Sequence, residues 1–151
     1  MIPGRGALRL HHLVCDVEGT LTVDGRFQED LLRPLLSLRD RLELHLLTVD
    51  AYRQQDNLDF RLGLEAVRLK TGEEEQQKRV YVTQLVTGVA AIGHGLDDVG
   101  MLEAADLGVC ILSPEGAATN TLMAADLVVP DMFRALELFA NPLRIVNLLR
   151  T

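Results

Sequence analysis

Short apolar runs recur along this chain of 151 residues, and segments of helical spacing separate them. The runs fall at 10–17 (LHHLVCDV), 42–47 (LELHLL), 66–69 (AVRL), 88–92 (GVAAI), 107–112 (LGVCIL) and 127–129 (LVV). Gly, Asp, Pro or charged residues bound each of them, as strands buried on both faces require. Helical spacing is read over 31–38, 51–62, 73–86, 96–105, 115–124 and 131–150. Pro34 disturbs the first turn of the first helix, and the last should break at Asn141-Pro142, because a residue before proline disfavours the helical region. Regular alternation of strand and helix predicts an α/β fold: a central parallel sheet covered by helices on both faces. In such sheets ligands bind beyond the carboxyl ends of the strands. The residues to inspect for chemistry are therefore Asp16, Thr48, Lys70 or a residue near it, the loop 93–98, Ser113 and Asp131.

Composition narrows the class. Hydrophobic residues make up 48% and charged residues 25%, which suits a folded globular chain and not a disordered one. The net charge of −7 gives no basic face for nucleic acid or an anionic membrane, and neither is expected as a partner. Aromatics are 4% and Trp is absent, so a platform for stacking bases is not expected. No apolar run approaches the roughly 20 residues of a membrane span. The opening MIPGRGALRL lacks the apolar core of a signal peptide, so a cytoplasmic location is expected. Cys15 and Cys110 lie in apolar runs and read as reduced core residues. His11, His12 and His45 lie in strand-like runs and read as structural. The whole of 1–151 is read as a single domain.

Four places carry the chemistry. The first strand runs into Asp16-Val17-Glu18-Gly19-Thr20-Leu21-Thr22, two carboxylates beside a glycine that permits an unusual turn. Such a carboxylate can be a nucleophile, a metal ligand or a turn cap. The second strand ends in Thr48, whose hydroxyl could bind a phosphate oxygen or cap the next helix, although Asp50 is the better cap. Lys78 lies in the polar helix GEEEQQKRVYV, where alone it reads as a solvated residue paired with Glu74. The fourth strand runs into Gly93-His94-Gly95-Leu96-Asp97-Asp98, followed by Met101-Leu102. Acids at a helix start also suit the helix dipole. The segment lacks the third glycine of a dinucleotide fingerprint and the Gly-Lys-Ser/Thr of a P-loop.

Together, in this order, these elements resemble the haloacid dehalogenase-like superfamily. DVEGTLT (16–22) is similar to its first motif, Asp-x-Asp-Gly-Thr-Leu/Val-Thr; Thr48 and Lys78 match its second and third by position; GHGLDDVGML is similar to its fourth. The chain looks closest to the small P-type-ATPase-like members, pump phosphorylation domains without membrane helices. The resemblance implies a Rossmann-like three-layer αβα sandwich with a central parallel sheet and a β-hairpin flap (21–27, turning at Asp24-Gly25). Too little chain lies between Asp16 and Thr48, or between Thr48 and Lys78, for a cap domain.

The resemblance also implies a phosphatase acting through an aspartyl-phosphate on Asp16, with Glu18, Thr48 and Lys78 as further catalytic residues. Gly19, Thr20, Thr48 and Lys78 would bind phosphate. Mg²⁺ would be held by Asp16, the backbone carbonyl of Glu18, His94, Asp97 and Asp98. Two residues depart from the motifs. Glu18 replaces Asp and is one methylene longer, so Glu18→Asp is expected to speed turnover. His94 stands where most members place Asp, so Mn²⁺ or Co²⁺ is expected to be preferred over Mg²⁺. The same departures fit a binding or regulatory domain of the same fold that turns over poorly. A receiver-like signalling domain is disfavoured, because it needs its phosphoacceptor at the end of the third strand, which here ends Leu69-Lys70-Thr71. A capless site implies a phosphorylated small molecule or macromolecule as substrate, or a homo-oligomer that covers the open edge.

Overall fold

A computed structural model describes residues 8–86 and 88–150. The opening residues read above for a signal peptide, and the ends of the 1–151 unit, lie partly outside these. Six parallel strands form one sheet: β1 (His12–Asp16), β4 (Glu43–Thr48), β5 (Val67–Arg68), β6 (Val89–Gly93), β7 (Leu107–Ile111) and β8 (Leu127–Val129). A separate antiparallel pair, β2 (Thr22–Val23) and β3 (Arg26–Phe27), makes the flap. The strand order is β5-β4-β1-β6-β7-β8. The chain builds outward from β1 through β4 to β5, then returns to β6 and builds the other way. The order therefore reverses between β1 and β6, where a crevice opens at the carboxyl ends.

Strand alternation assigns the two faces. Leu13, Cys15, Leu44, Leu46, Ala90 and Ile92 face a core completed by α1 (Leu32–Leu38), α2 (Gln55–Leu62), α6 (Met132–Ala140) and α7 (Pro142–Leu149). Val14, Leu47, Val89, Ala91 and Cys110 face a second core under α3 (Glu74–Gln84), α4 (Val99–Ala104) and α5 (Thr119–Ala124). This is the expected three-layer sandwich. Cys15 and Cys110 are free and buried. Among the described residues no helix is long and apolar enough to cross a membrane.

Several boundaries differ from the sequence reading for local reasons. A 3₁₀ turn at Glu29–Leu31 precedes α1, which leaves Pro34 in the first turn, where its missing N–H is not needed. The helix expected from 51 begins at Gln55, because Asp50 and Arg53 both take positive φ, at 53° each. The helix expected from 115 begins at Thr119, after a turn in which the Ser113 hydroxyl donates to Gly116 O. The long last helix breaks between Ala140 and Pro142, as expected.

Candidate active site

Asp16 ends β1 on the face covered by α3, and Lys78 projects from α3 onto it. The Lys78 ammonium is 2.9 Å from Asp16 Oδ1, 2.9 Å from Asp97 Oδ2 and 2.8 Å from Asp98 Oδ1. Lys78 is 2% exposed, so the reading of it as a solvated helix residue paired with Glu74 is wrong. The helical spacing did not reveal this, because only the three acids across the crevice make a buried ammonium tolerable. Burial opposes its charge, but Asp16, Asp98 and Asp97 outweigh burial and hold its pKa above the ordinary lysine range.

Asp16 is pushed well above the usual carboxylate range, first by burial and then by the Asp98 charge, with Lys78 pulling the other way. Three carboxylates around one ammonium leave the cluster negative. The other oxygen, Asp16 Oδ2, has the Thr20 hydroxyl at 3.3 Å and His94 Nδ1 at 3.7 Å. Thr20 is fully buried and its hydroxyl also lies 3.0 Å from His94 Nδ1.

The fourth-motif loop is fixed from within. Asp98 is fully buried, and its Oδ2 accepts from the backbone N–H of His94 at 2.9 Å and of Gly95 at 3.1 Å. Gly93 lies against the Asp98 carboxylate, and a side chain there would collide with it. Asp97, 43% exposed at its side chain, stands at the rim. Gly19 takes φ +77°, and a Cβ on it would run into the His94 ring and the Glu115 carboxylate.

Glu18 reaches the loop after β4. Its Oε1 accepts from Thr48 Oγ1 at 2.5 Å and from the N–H groups of Val49 and Asp50 at 3.1 and 3.0 Å. Its Oε2 is buried with no hydrogen-bond partner. The extra methylene is thus used to reach the loop after β4, and the Thr48 hydroxyl proton is committed to Glu18. Asp50 is no N-cap: its Oδ1 accepts from the first helical N–H, that of Gln55, at 3.0 Å, and Gln54 precedes the helix.

Of the other strand-end residues, Asp131 caps α6 by accepting from Arg134 N, Ser113 closes its own turn, and Lys70 is exposed. Sequence reasoning missed two residues. Glu115 Oε1 lies 3.3 Å from His94 Nε2, and Thr121 donates to Gly95 O at 2.6 Å. Both come from segments joined to the site only by sheet order, so no local signal marked them.

The donors suit a divalent cation. Asp16, His94 and Asp98 bring ligand atoms within 4.8 Å of one another, and the cluster's negative charge is unneutralised. A cavity of about 210 Å³ is lined by Asp16, Glu18, Lys78, His94 and Asp97, and Glu18 also lines one of about 370 Å³ between the flap and α2, with Thr48, Tyr52, Phe27 and Arg61.

No family model matches the chain. An uncharacterized protein of Methanocaldococcus jannaschii is 42% identical over 57 residues, 38% of this chain, and the match spans 61% of that relative's length. Among solved structures, the cobalt-bound deoxy-D-mannose-octulosonate 8-phosphate phosphatase of Haemophilus influenzae superposes with a TM-score of 0.73 at 15% identity, covering 95% of this chain and 94% of that one. The corresponding phosphatase of Moraxella catarrhalis, in complex with magnesium, phosphate and its sugar acid, gives 0.70 at 17% identity, covering 86% and 85%. A zinc-transporting PIB-type ATPase gives 0.65 at 23% identity, over 80% of this chain and 20% of the pump. The chain has the haloacid dehalogenase-like fold in its capless form.

Proposed function

We propose that the chain is a phosphatase that forms an aspartyl-phosphate on Asp16. The observation that carries this reading is the buried Lys78 ammonium shared by Asp16, Asp97 and Asp98 at the point where strand order reverses. Lys78 holds Asp16 Oδ1, which leaves Oδ2 to attack phosphorus in line. A bond forms from Oδ2 to phosphorus as the bond to the leaving oxygen breaks. Glu18 Oε1 is occupied by three donors, so Oε2 is the oxygen that carries the proton to the leaving group. The same oxygen then takes a proton from the water that hydrolyses the aspartyl-phosphate, which restores both carboxyl groups. Lys78, the Thr20 hydroxyl and the Gly19 N–H, whose present partner is the Thr22 hydroxyl at 3.4 Å, supply positive partners for the phosphoryl oxygens, whereas the N–H groups of Thr20, Leu21 and Thr22 turn back on Val17 O. Thr48 holds Glu18 in place.

Asp16, the backbone carbonyl of Glu18, His94, Asp97 and Asp98 would hold a divalent cation, Mg²⁺ in the first instance. Its charge would favour ionised Asp16 and stabilise charge on the transferring group. The His94 nitrogen favours Mn²⁺ or Co²⁺ over Mg²⁺. The cavity beside Glu18 accepts the leaving group of a phosphorylated substrate. Its size suits a small phosphorylated metabolite, and the octulosonate 8-phosphate named for the structural neighbours belongs in the panel. A homo-oligomer covering the open edge, and a cytoplasmic location, complete the reading.

The test is a hydrolysis screen with an aryl phosphate and a panel of phosphorylated metabolites, run with Mg²⁺, Mn²⁺ and Co²⁺, on the parent and Asp16→Asn. Turnover that is metal-dependent and lost in Asp16→Asn supports the reading; turnover unchanged in Asp16→Asn removes the covalent mechanism. The second reading, a weakly active regulatory domain, is favoured by the His94 ring lying 3.7 Å from the nucleophilic oxygen. Phosphate binding without turnover in the same screen selects it. Light scattering that gives a strict monomer at high concentration removes the oligomer.

A further inference from the structure

The other end of β1 carries a second cluster of metal-ligating side chains. His12 and Glu43 open β1 and β4 and are register partners, and His45 lies two residues on, with Tyr81 of α3 beside it. His12 Nδ1 is 3.0 Å from His45 Nε2 and 3.4 Å from Glu43 Oε2. The ligand atoms of all three lie within 4.8 Å of one another. Two atoms that share one tetrahedral zinc ion stand about 3.3 Å apart, given bond lengths of about 2.0–2.1 Å. The cluster therefore needs little movement to close on an ion.

We propose that His12, Glu43 and His45 form a Zn²⁺ site that clamps β1 to β4 at the amino end of the sheet. Two imidazoles and one carboxylate suit a borderline ion such as Zn²⁺ and not Mg²⁺, which takes oxygen ligands. The Tyr81 hydroxyl is 2.6 Å from His45 Nδ1. With Nε2 on the metal, Nδ1 carries the proton and donates to the Tyr81 oxygen, which fixes the tautomer and the ring. Burial of His45 favours its neutral, ligating form. Glu43, 68% exposed at its side chain, leaves a path for the ion and room for water in the fourth position. The site is remote from Asp16, at the far end of β1 and about 13 Å away at 3.3 Å per residue. Tyr81 and Lys78 lie one turn apart on α3, so the clamp also fixes the helix that carries Lys78.

The experiment is equilibrium dialysis of the whole chain against Zn²⁺ in excess Mg²⁺, followed by metal analysis. A parallel Co²⁺ titration reads nitrogen ligation by absorption. The doubly substituted chain Asp16→Asn/His94→Gln reports this site alone. It should retain one Zn²⁺ per chain. In that background Tyr81→Phe should weaken binding by on the order of 10- to 100-fold, as loss of a group that orients a ligand does, and Glu43→Gln or His12→Gln by at least as much. Glu43→Gln changes an exposed residue and keeps the test open if His12→Gln fails to fold. A doubly substituted chain that binds no Zn²⁺, or a Glu43→Gln chain that binds it as tightly as its background, overturns the proposal.

Discussion

Asp16 carries its carboxyl where burial and the Asp98 charge both disfavour ionisation, and Lys78 only partly offsets them. Removing that charge should therefore separate stability from function. Asp16→Asn is expected to abolish hydrolysis and to raise stability without metal by about 1 kcal/mol, a common trade at strained sites; urea unfolding beside the activity assay checks both. Lys78→Met does the reverse to the cluster, leaving three carboxylates with no cation. A loss of about 3 kcal/mol is expected, as for other buried pairs broken on one side, and unchanged urea stability would contradict the geometry. At Glu18 the structure reverses the sign of a sequence expectation. Its full length is used to collect Thr48, Val49 and Asp50, so Glu18→Asp should be slower than the parent, not faster. A shift of about 1 Å in a reacting group can cost on the order of 100-fold, and steady-state kinetics of the pair decides the matter. Motif order singled out Asp16, Glu18 and Lys78, and the fold brings Asp16 and Lys78 into contact. The direction of each side chain was not legible, because it depends on partners 30 or more positions away.

At the scale of elements, the strands were legible because buried parallel strands are nearly continuous apolar runs, with β5, a half-buried Val67 and an exposed Arg68, the exception. The end of β1 fell at Asp16 and that of β4 at Thr48, as the apolar runs predicted. Helix starts were less legible. Residues 51–54 have no breaker in sequence, yet positive φ at Asp50 and Arg53 holds them out of α2, and the Asp50 N–H donates to Glu18 instead. The flap was legible from Asp24-Gly25, whose φ values of 51° and 81° match the paired left-handed residues of a tight hairpin. Its seat was not: the Tyr52 ring packs on Gly25, so the flap rests on the loop after β4. The turn at Gly19 is the most constrained element of the site. Gly19→Ala places a Cβ in a left-handed residue against His94 and Glu115, and a loss of about 1–2 kcal/mol is expected from the backbone alone. Unfolding midpoints should show that loss together with weaker metal binding. An alanine variant as stable as the parent would mean that residue 19 does not hold its left-handed conformation.

For the whole molecule, the adjacency of β1 and β6 is what turns separate motifs into one site, and no local pattern encodes strand order. The same adjacency makes stability depend jointly on pH and metal. Asp16 is raised in the folded state, so its contribution is full below the ordinary carboxylate value of about 3.9 and is lost as pH rises through its folded value. His45 is lowered, so its contribution is present above about 6.5 and is lost as pH falls through its folded value. A divalent cation at the carboxyl end of the sheet relieves the first loss and leaves the second alone. Addition of Mg²⁺ should therefore raise the thermal midpoint more at about pH 8 than at about pH 5, because only ionised Asp16 gains from the added charge. Asp16→Asn should flatten that difference, since it has no charge left to neutralise. Thermal scans of both chains, with Mg²⁺ and with chelator, make the comparison. An equal Mg²⁺ shift at both pH values, or a full pH-dependent shift in Asp16→Asn, would place the cation away from Asp16.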